Sequence, residues 1–198
     1  AAHKRKERVE PTRASIYHGP DCIVLVVNDV LTKNDRYARG HSGTFEKPQS
    51  KRYKAAVAAA AAGAGYVPPV KRPAIPRGPD KRKASVVFGA KTITSGLWSL
   101  EVFSVWPKAR HHADGTDTAN GDADAPISMM QDAMQRAGII DDDMRIVSTA
   151  ALASYSKDER RTVAVLRKLG ASTYDDEVAR MRDYEALAAG QADASKTC

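Results

Sequence analysis

The chain has 198 residues, of which 42% are hydrophobic and 28% are charged, the composition of an ordinary soluble globular protein. This length corresponds to one domain with extensions, or at most two small domains. No apolar run approaches the roughly 18 residues needed to span a bilayer. The two cysteines, Cys22 and Cys198, make neither a disulfide framework nor a metal knuckle. We therefore expect no membrane span and a reduced intracellular or organellar compartment.

The formal net charge of +7 is unevenly distributed along the chain. Residues 1–110 carry 21 Lys and Arg against 8 Asp and Glu, a net charge of +13. Residues 111–198 carry 10 against 16, a net charge of −6. Because dense positive charge attracts phosphate backbones, the first half of the chain is the candidate nucleic-acid surface.

Residues 1–20 show no hydrophobic periodicity and are rich in basic side chains. The basic residues are Lys4, Arg5, Lys6, Arg8 and Arg13. Such arms are often disordered, but they also suit contact with phosphate backbones. The chain begins with Ala rather than Met, which is compatible with a removed leader and organellar import.

Two elements are predicted in the next part of the chain. Asp21 to Val30 is a continuous, largely β-branched run, which predicts a buried central strand. Residues 31–37 follow it as a turn. A helix is predicted to begin near Pro48 or Ser50 and to continue through the Ala-rich stretch. Its lysines and arginines form either a basic binding face or an ordinary solvated face.

Residues 64–95 form a segment rich in proline, lysine and arginine. Its prolines preclude a regular helix or a central strand. Six of its basic residues are concentrated between positions 71 and 83: Lys71, Arg72, Arg77, Lys81, Arg82 and Lys83. Extended basic insertions fit grooves between nucleic-acid helices, and a flexible linker is the alternative. After it, the aromatic-rich residues 97–106 predict a second core strand.

Residues 121–143, GDADAPISMMQDAMQRAGIIDDD, contain two acidic clusters joined by a predicted helix. Asp124 is placed to cap the helix, Pro126 is tolerated in its first turn, and Gly138 is placed to end it. An apolar face is formed by Ile127, Met130, Met134 and Ala137. The pattern predicts that this face packs in the core.

The acidic clusters have a functional and a structural interpretation. Three carboxylates from two neighbouring loops suit a hard cation such as Mg²⁺. The clusters can meet only if the chain turns back after Gly138, with Ile139 and Ile140 leading into a strand beside the first. In the structural interpretation, Asp122 lies in a solvated loop, Asp124 caps the helix, and the last three aspartates form a surface turn.

The remaining residues predict one strand and two helices. Residues 144–153 are predicted to form a third strand, and Arg145 lies beside Asp143, where it could neutralise the cluster or form a surface pair. Ser156 and Glu159 form a capping-box pattern before an apolar stripe that ends at Gly170. The stripe consists of Val163, Leu166 and Leu169. Residues 173–189 predict a second helix, followed by a loose polar tail.

Residues 122–143 resemble the RusA family of Holliday-junction resolvases, small dimeric Mg²⁺-dependent endonucleases. The family signature is a D-x-D-N pair, a helix with a Lys that ends in Ala-Gly, then D-D. The resemblance implies a metal site formed by Asp122, Asp124 and Asp143, with Mg²⁺ as cofactor, and a homodimer. It also places Lys33 and Arg36, in the loop after the first strand, near the acidic site.

The sequence departs from the family at functional positions. Ala125 replaces the family's Asn, and Ser128 replaces its helix Lys, which is needed for activity. In the family the loop before the first Asp is basic, whereas the full charges of residues 111–121 are Asp114 and Asp117. An acidic loop repels phosphate.

These observations support two hypotheses. The favoured one is a diverged RusA-like nucleic-acid-binding protein without catalytic activity, a structural RNA-binding subunit of a larger ribonucleoprotein such as a mitochondrial ribosome in the matrix. It implies RNA and neighbouring proteins as partners and requires no cofactor. The alternative is an active Mg²⁺-dependent endonuclease that cleaves branched DNA.

The predicted fold class is α+β, with a RusA-like core in which helices pack on a small mixed β-sheet. The predicted domains are a basic arm over residues 1–20, a RusA-like domain over 21–155 with an insertion at about 64–95, and a helical extension over 156–198. The predicted nucleic-acid-binding residues are Lys4, Arg5, Lys6, Arg8, Lys33, Arg36, Lys71, Arg72, Lys81, Arg82 and Lys83.

Overall fold

The computed structural model describes residues 11–19, 21–31, 37–40, 43–74, 84–107, 109–111, 113, 116–119, 123–170, 175–176 and 178–179. The strands are β1 (Ala14–His18), β2 (Cys22–Val27), β3 (Tyr37–Gly40), β4 (Gly43–Glu46), β5 (Val70–Arg72), β6 (Ser85–Val87), β7 (Leu97–Trp106), β8 (Ala109–His111), β9 (Asp117–Ala119), β10 (Ile146–Tyr155) and β11 (Arg161–Leu169). The helices are α1 (Pro48–Gly63) and α2 (Ala125–Ala137), and a 3₁₀ turn covers Asp143–Arg145. Neither α1 nor α2 is long and apolar enough to cross a bilayer.

Five strands form one sheet in the order β1-β2-β11-β7-β10. β10 runs parallel to β7, and the other neighbouring pairs are antiparallel. β3–β4, β5–β6 and β8–β9 form separate two-stranded hairpins. The predicted α+β class with a small mixed sheet and packed helices is confirmed.

The predicted strands at 21–30 and 97–106 are confirmed as β2 and β7. Their inward side chains alternate along each strand, as in Leu25 and Val27 of β2 and Leu100 and Val102 of β7, all at most 1% exposed. Branched and aromatic side chains favour this pleated, half-buried geometry. The strand predicted at 144–153 is also confirmed, with observed bounds Ile146–Tyr155.

The two helices pack against one face of the sheet. Tyr53, Val57 and Ala61 recur every four residues on the buried side of α1, because this spacing places side chains on one face of a helix. Met130, Met134 and Ala137, at spacings of four and three residues, lie on the buried side of α2. The opposite face of the sheet exposes apolar side chains: Tyr17 is 64%, Leu152 58% and Phe103 38% exposed.

The observed start and end of α2 agree with the prediction, but the predicted capping by the Asp124 side chain is wrong. Gly138 ends the helix in the left-handed region, with φ 75° and ψ 22°, where glycine is favoured. A Cβ atom on Gly138 would overlap the carbonyl oxygen of Val67. Asp124 occupies the N-cap position, but its backbone is helical and its side chain makes no capping hydrogen bond. The predicted cap is therefore not formed by that carboxylate.

The helix predicted after Ser156 is wrong, because residues 161–169 form strand β11. β11 lies between β2 and β7 and pairs with both. Thr162, Ala164 and Leu166 alternate toward the core, each at most 1% exposed. The C-terminal extension therefore cannot begin at residue 156, since this segment supplies the middle strand of the sheet. The helix predicted at 173–189 lies almost entirely outside the described residues.

Two other predicted segments contain regular structure. The end of the predicted N-terminal arm forms the edge strand β1, which pairs with β2 from Ala14 to His18. In the predicted insertion, β5 and β6 form a short hairpin outside the main sheet. The prediction that the insertion would contain no helix or central strand is confirmed for its described part.

Candidate nucleic-acid interface

The β5–β6 hairpin carries the only predicted basic binding residues that lie within the described part of the chain. Lys71 and Arg72 are adjacent on β5, and both are exposed. Successive side chains of a strand point to opposite sides, so the two cations face different sides of the hairpin. Val70 is 57% exposed and Val86 45%, which shows that the hairpin stands out from the core.

The other predicted binding residues lie outside the described residues. They are Lys4, Arg5, Lys6, Arg8, Lys33, Arg36, Lys81, Arg82 and Lys83. The last three belong to residues 75–83, the connection between β5 and β6. The pairing of β5 with β6 therefore holds the two ends of this connection beside each other.

Helices α1 and α2 run side by side in the same direction. Ser50 contacts Met129, with 3.9 Å between Oγ and Sδ. One turn later, Lys54 Nζ donates a hydrogen bond to Asp132 at 3.4 Å. Because the contacts advance toward the C-terminus on both helices, the helices are parallel. Their C-terminal halves approach the β5–β6 hairpin.

A network of charged side chains joins β4 to both helices. Lys54 is only 6% exposed, and its Nζ lies 2.8 Å from Glu46 Oε1. Ser50 Oγ donates to the same carboxylate at 2.8 Å, and Arg136 donates to Glu46 Oε2 at 3.2 Å. Burial alone would raise the pKa of Glu46, but these hydrogen bonds lower it to about 2. Glu46 is therefore a carboxylate that holds two cations in place.

A groove of about 800 Å³ lies between the parallel helices and the hairpin. Pro68, Pro69, Val86 and Phe88 provide apolar lining. Lys54, Lys71, Gln135 and Arg136 provide polar and cationic lining, together with Asp132 and Asp141. Arg72 does not line the groove, in agreement with its orientation to the other side of β5. The arrangement combines an apolar wall with cations.

The acidic groups of the groove have cationic partners. Asp132 accepts from Lys54. Asp141 accepts two hydrogen bonds from Arg145, at 2.5 Å from Nε and 2.7 Å from a terminal nitrogen. These hydrogen bonds lower the pKa of Asp141. Lys54 and Arg136 are both paired with Glu46 as well. Glu46, Asp132 and Asp141 therefore balance the charges of Lys54, Arg136 and Arg145, and Lys71 supplies the remaining positive charge of the groove.

Asp124 and Asp143 lie on either side of α2 in the chain. Asp124 precedes α2, whereas Asp143 follows its C-terminal end. Ile140 forms a parallel bridge to Ile93, and Ile146 pairs with Trp98 at the start of β7. The residues that follow α2 therefore lead into the sheet at the start of β7. The helix has 13 residues, which span about 20 Å.

The remaining predictions about the acidic cluster have mixed outcomes. Asp122 lies outside the described residues. Arg145 pairs with Asp141 rather than with its neighbour Asp143. Within the described residues, no three His, Cys, Asp or Glu side chains are grouped as metal ligands. Because Asp122 lies outside the described residues, the Mg²⁺ site of three carboxylates stays a prediction.

The groove and three of the residues that form or support it, Glu46, Phe88 and Arg136, were not predicted from the sequence. Lys54 belonged to the predicted basic or solvated helix face, but it is buried beside two carboxylates. The charges on α1 and α2 offered a signal, because a lysine and an aspartate on two helices can pair if the helices are adjacent. Their partners could not be assigned without the direction of the helices. Phe88 follows a basic segment, but nothing in the sequence placed it opposite Arg136.

The chain matches no family model and no curated protein. The resemblance to RusA therefore rests on the residues between 122 and 143.

Proposed function

We propose that the protein binds nucleic acid through the basic insertion carried by the β5–β6 hairpin. The observation that carries this proposal is the exposed position of Lys71 and Arg72 on a hairpin that stands out from the core. The same insertion contributes Arg77, Lys81, Arg82 and Lys83. Cations on a protruding element can follow a phosphate backbone, which supplies most sequence-independent affinity.

The proposed biological role is structural RNA binding in a larger ribonucleoprotein, with the mitochondrial ribosome and the mitochondrial matrix as the proposed host and location. Ala125 and Ser128 support a role without catalysis, because they replace the Asn and Lys of the resembled family. The positions of Asp124 and Asp143 at opposite ends of α2 support the same conclusion.

The test of binding compares two double variants with the same loss of charge. The double variant Lys71→Ala with Arg72→Ala should weaken binding of single-stranded RNA. The slope of log affinity against log salt concentration should become shallower by about 0.7 for each phosphate contact that is lost. The control is Lys157→Ala with Lys168→Ala, which removes two exposed cations from the acidic half of the chain. The proposal fails if the wild-type protein binds no RNA, or if both double variants have the same salt dependence as wild type.

The test of the host particle is independent of binding in solution. Antibodies against the natural protein should detect it with ribosomal subunits in a sucrose gradient of mitochondrial extract, and ribonuclease should release it to the top. Sedimentation as a free protein before ribonuclease treatment would contradict the ribonucleoprotein role.

Endonuclease activity is the second candidate, favoured by the D-x-D, helix and D-D motif over residues 122–143. Its proposed metal-site residues are Asp122, Asp124 and Asp143, and Mg²⁺ would stabilise negative charge on phosphate oxygens. Cleavage of a four-way DNA junction in Mg²⁺, abolished in Asp124→Asn, would establish this activity. Uncleaved junctions in both Mg²⁺ and Mn²⁺ would reject it.

A further inference from the structure

We propose that the groove between α1, α2 and the β5–β6 hairpin binds one unpaired nucleotide of a single-stranded nucleic acid. This inference rests on the proposed nucleic-acid binding and assigns a defined site to it. The volume of about 800 Å³ is within the range of about 300–1,000 Å³ of ordinary ligand sites. A nucleotide presents an apolar base face and an anionic phosphate, and the groove offers a complementary surface for each.

The apolar wall provides a surface for the base. Phe88 is partly exposed and lies beside Pro68, Pro69 and Val86 in the groove lining. Every base has a flat face that stacks on an aromatic ring, whatever its sequence. A base inside a duplex has both faces covered by neighbouring bases, whereas an unpaired base can be turned outward. The wall therefore favours single strands over duplexes.

The cationic rim provides a surface for the phosphate. Lys71 is exposed on the hairpin side, and the side chain of Arg136 is 61% exposed on the α2 side. Glu46 holds Arg136 through a hydrogen bond of 3.2 Å, which restricts the guanidinium without burying it. A guanidinium donates paired hydrogen bonds to phosphate oxygens, while an ammonium acts as a point charge. The two cations lie on opposite walls of the same groove.

Gln135 adds a group that can contact a base edge. It lines the groove one residue before Arg136 and is partly buried. A glutamine amide has two donors and one acceptor with two lone pairs, so it can bond to the edges of several bases. The nearby Asp132 and Asp141 have Lys54 and Arg145 as partners, which reduces their repulsion of phosphate.

The test uses single-stranded RNA of about ten nucleotides, near the site size of a single-strand-binding module, with one 2-aminopurine, a fluorescent base, at its centre. The fluorescence should change when wild-type protein binds, because the probe base moves from its neighbours onto Phe88. Phe88→Ala should abolish this change and lower affinity about tenfold, the effect of removing one base–aromatic stack. Phe103→Ala is the matched control, since Phe103 is an exposed aromatic on the opposite face of the sheet. This variant should retain both the fluorescence change and the affinity of the wild-type protein.

A second pair of variants tests the phosphate contact. Lys71→Ala should weaken the fluorescence change at a fixed protein concentration, whereas Arg72→Ala should preserve more of it, because of these two residues only Lys71 lines the groove.

If circular dichroism shows that Phe88→Ala does not fold, the double variant Gln135→Ala with Lys71→Ala replaces it. Single-stranded DNA of the same sequence shows whether the sugar 2′-hydroxyl contributes, and a response to either single strand supports the site.

The outcomes separate this inference from the proposed function. If RNA binds but the probe does not respond, or if Phe88→Ala and Phe103→Ala behave alike, the groove site is wrong and nucleic-acid binding stands. A duplex response equal to the single-strand response also overturns the groove site. If no nucleic acid binds the wild-type protein, both proposals are wrong.

Discussion

Asp124 and Asp143 lie at opposite ends of α2, separated by a helix of 13 residues, or about 20 Å. This relationship governs the first prediction. Replacing Asp122, Asp124 and Asp143 with Asn should leave RNA affinity unchanged or raise it about twofold, because removal of negative charge reduces repulsion of phosphate. Fluorescence anisotropy with and without Mg²⁺ measures the effect. Loss of a Mg²⁺-dependent part of the affinity would instead favour the endonuclease.

Lys54 is predicted to stabilise the packing of α1 against α2. Lys54→Met removes the ammonium that lies 2.8 Å from Glu46 and 3.4 Å from Asp132. Two largely buried carboxylates would lose a cation, and we expect a loss of about 3 kcal/mol in the free energy of unfolding. Urea denaturation provides the measurement.

Lys51→Met is the control for this prediction. Lys51 is exposed on the preceding turn of α1, so its substitution should change stability by at most about 0.5 kcal/mol. Equal losses in the two variants would show that the buried ion pairs are not the cause.

Glu46 should make stability depend on pH in the acid range. Its pKa is lowered from 4.5 to about 2 in the folded protein, so on acidification the unfolded chain takes up the proton first. The stabilisation is complete above the unfolded pKa of 4.5 and is lost as the pH falls toward the folded pKa of about 2. At about 1.36 kcal/mol per pH unit, the loss amounts to about 3 kcal/mol.

The measurement for Glu46 compares wild type with Glu46→Gln by urea denaturation at several pH values from about 2 to about 6, a range that includes both pKa values of Glu46. The variant should be less stable at the upper end of this range, and the difference should shrink toward the lower end. Glu159→Gln serves as the control, because Glu159 is half-exposed in a surface pair with Arg161. A difference that stays constant with pH would contradict the assigned role of Glu46.

Gly138 and Gly63 should respond to alanine in opposite directions. Gly138→Ala places a Cβ atom against the carbonyl oxygen of Val67 at a positive φ, so we expect a loss of at least about 2 kcal/mol. Gly63 ends α1 and has no atom within 4 Å of its would-be Cβ. Gly63→Ala should raise stability by about 0.5 kcal/mol.

Thermal unfolding of both variants measures this contrast. A stable Gly138→Ala protein would show that α2 does not end against Val67 as described. A destabilised Gly63→Ala protein would show that the end of α1 is more closely packed than the structure indicates.

Elements with a strong local pattern could be predicted from the sequence. The apolar run of β2, the three- and four-residue spacing in α2 and the glycine at its end each have one favourable local structure, because side-chain direction follows backbone geometry. β11 was predicted as a helix because Val163, Leu166 and Leu169 have helical spacing. The alternation of Thr162, Ala164 and Leu166 was equally present, and pairing with β2 and β7 decided between the two patterns.

The sequence by itself determined the charge distribution, most of the core strands and the amphipathic character of α2. Only the tertiary structure decided which charged groups meet. β10 pairs in parallel with β7, so the chain must return from the end of β7 to the start of β10. α2 belongs to this crossover connection, and Asp124 and Asp143 lie at its two ends. The parallel packing of α1 on α2, with the hairpin beside them, brings Arg136 and Phe88 to one groove. Such contacts depend on the direction in which each element crosses the core, and local spacing carries no information about that direction.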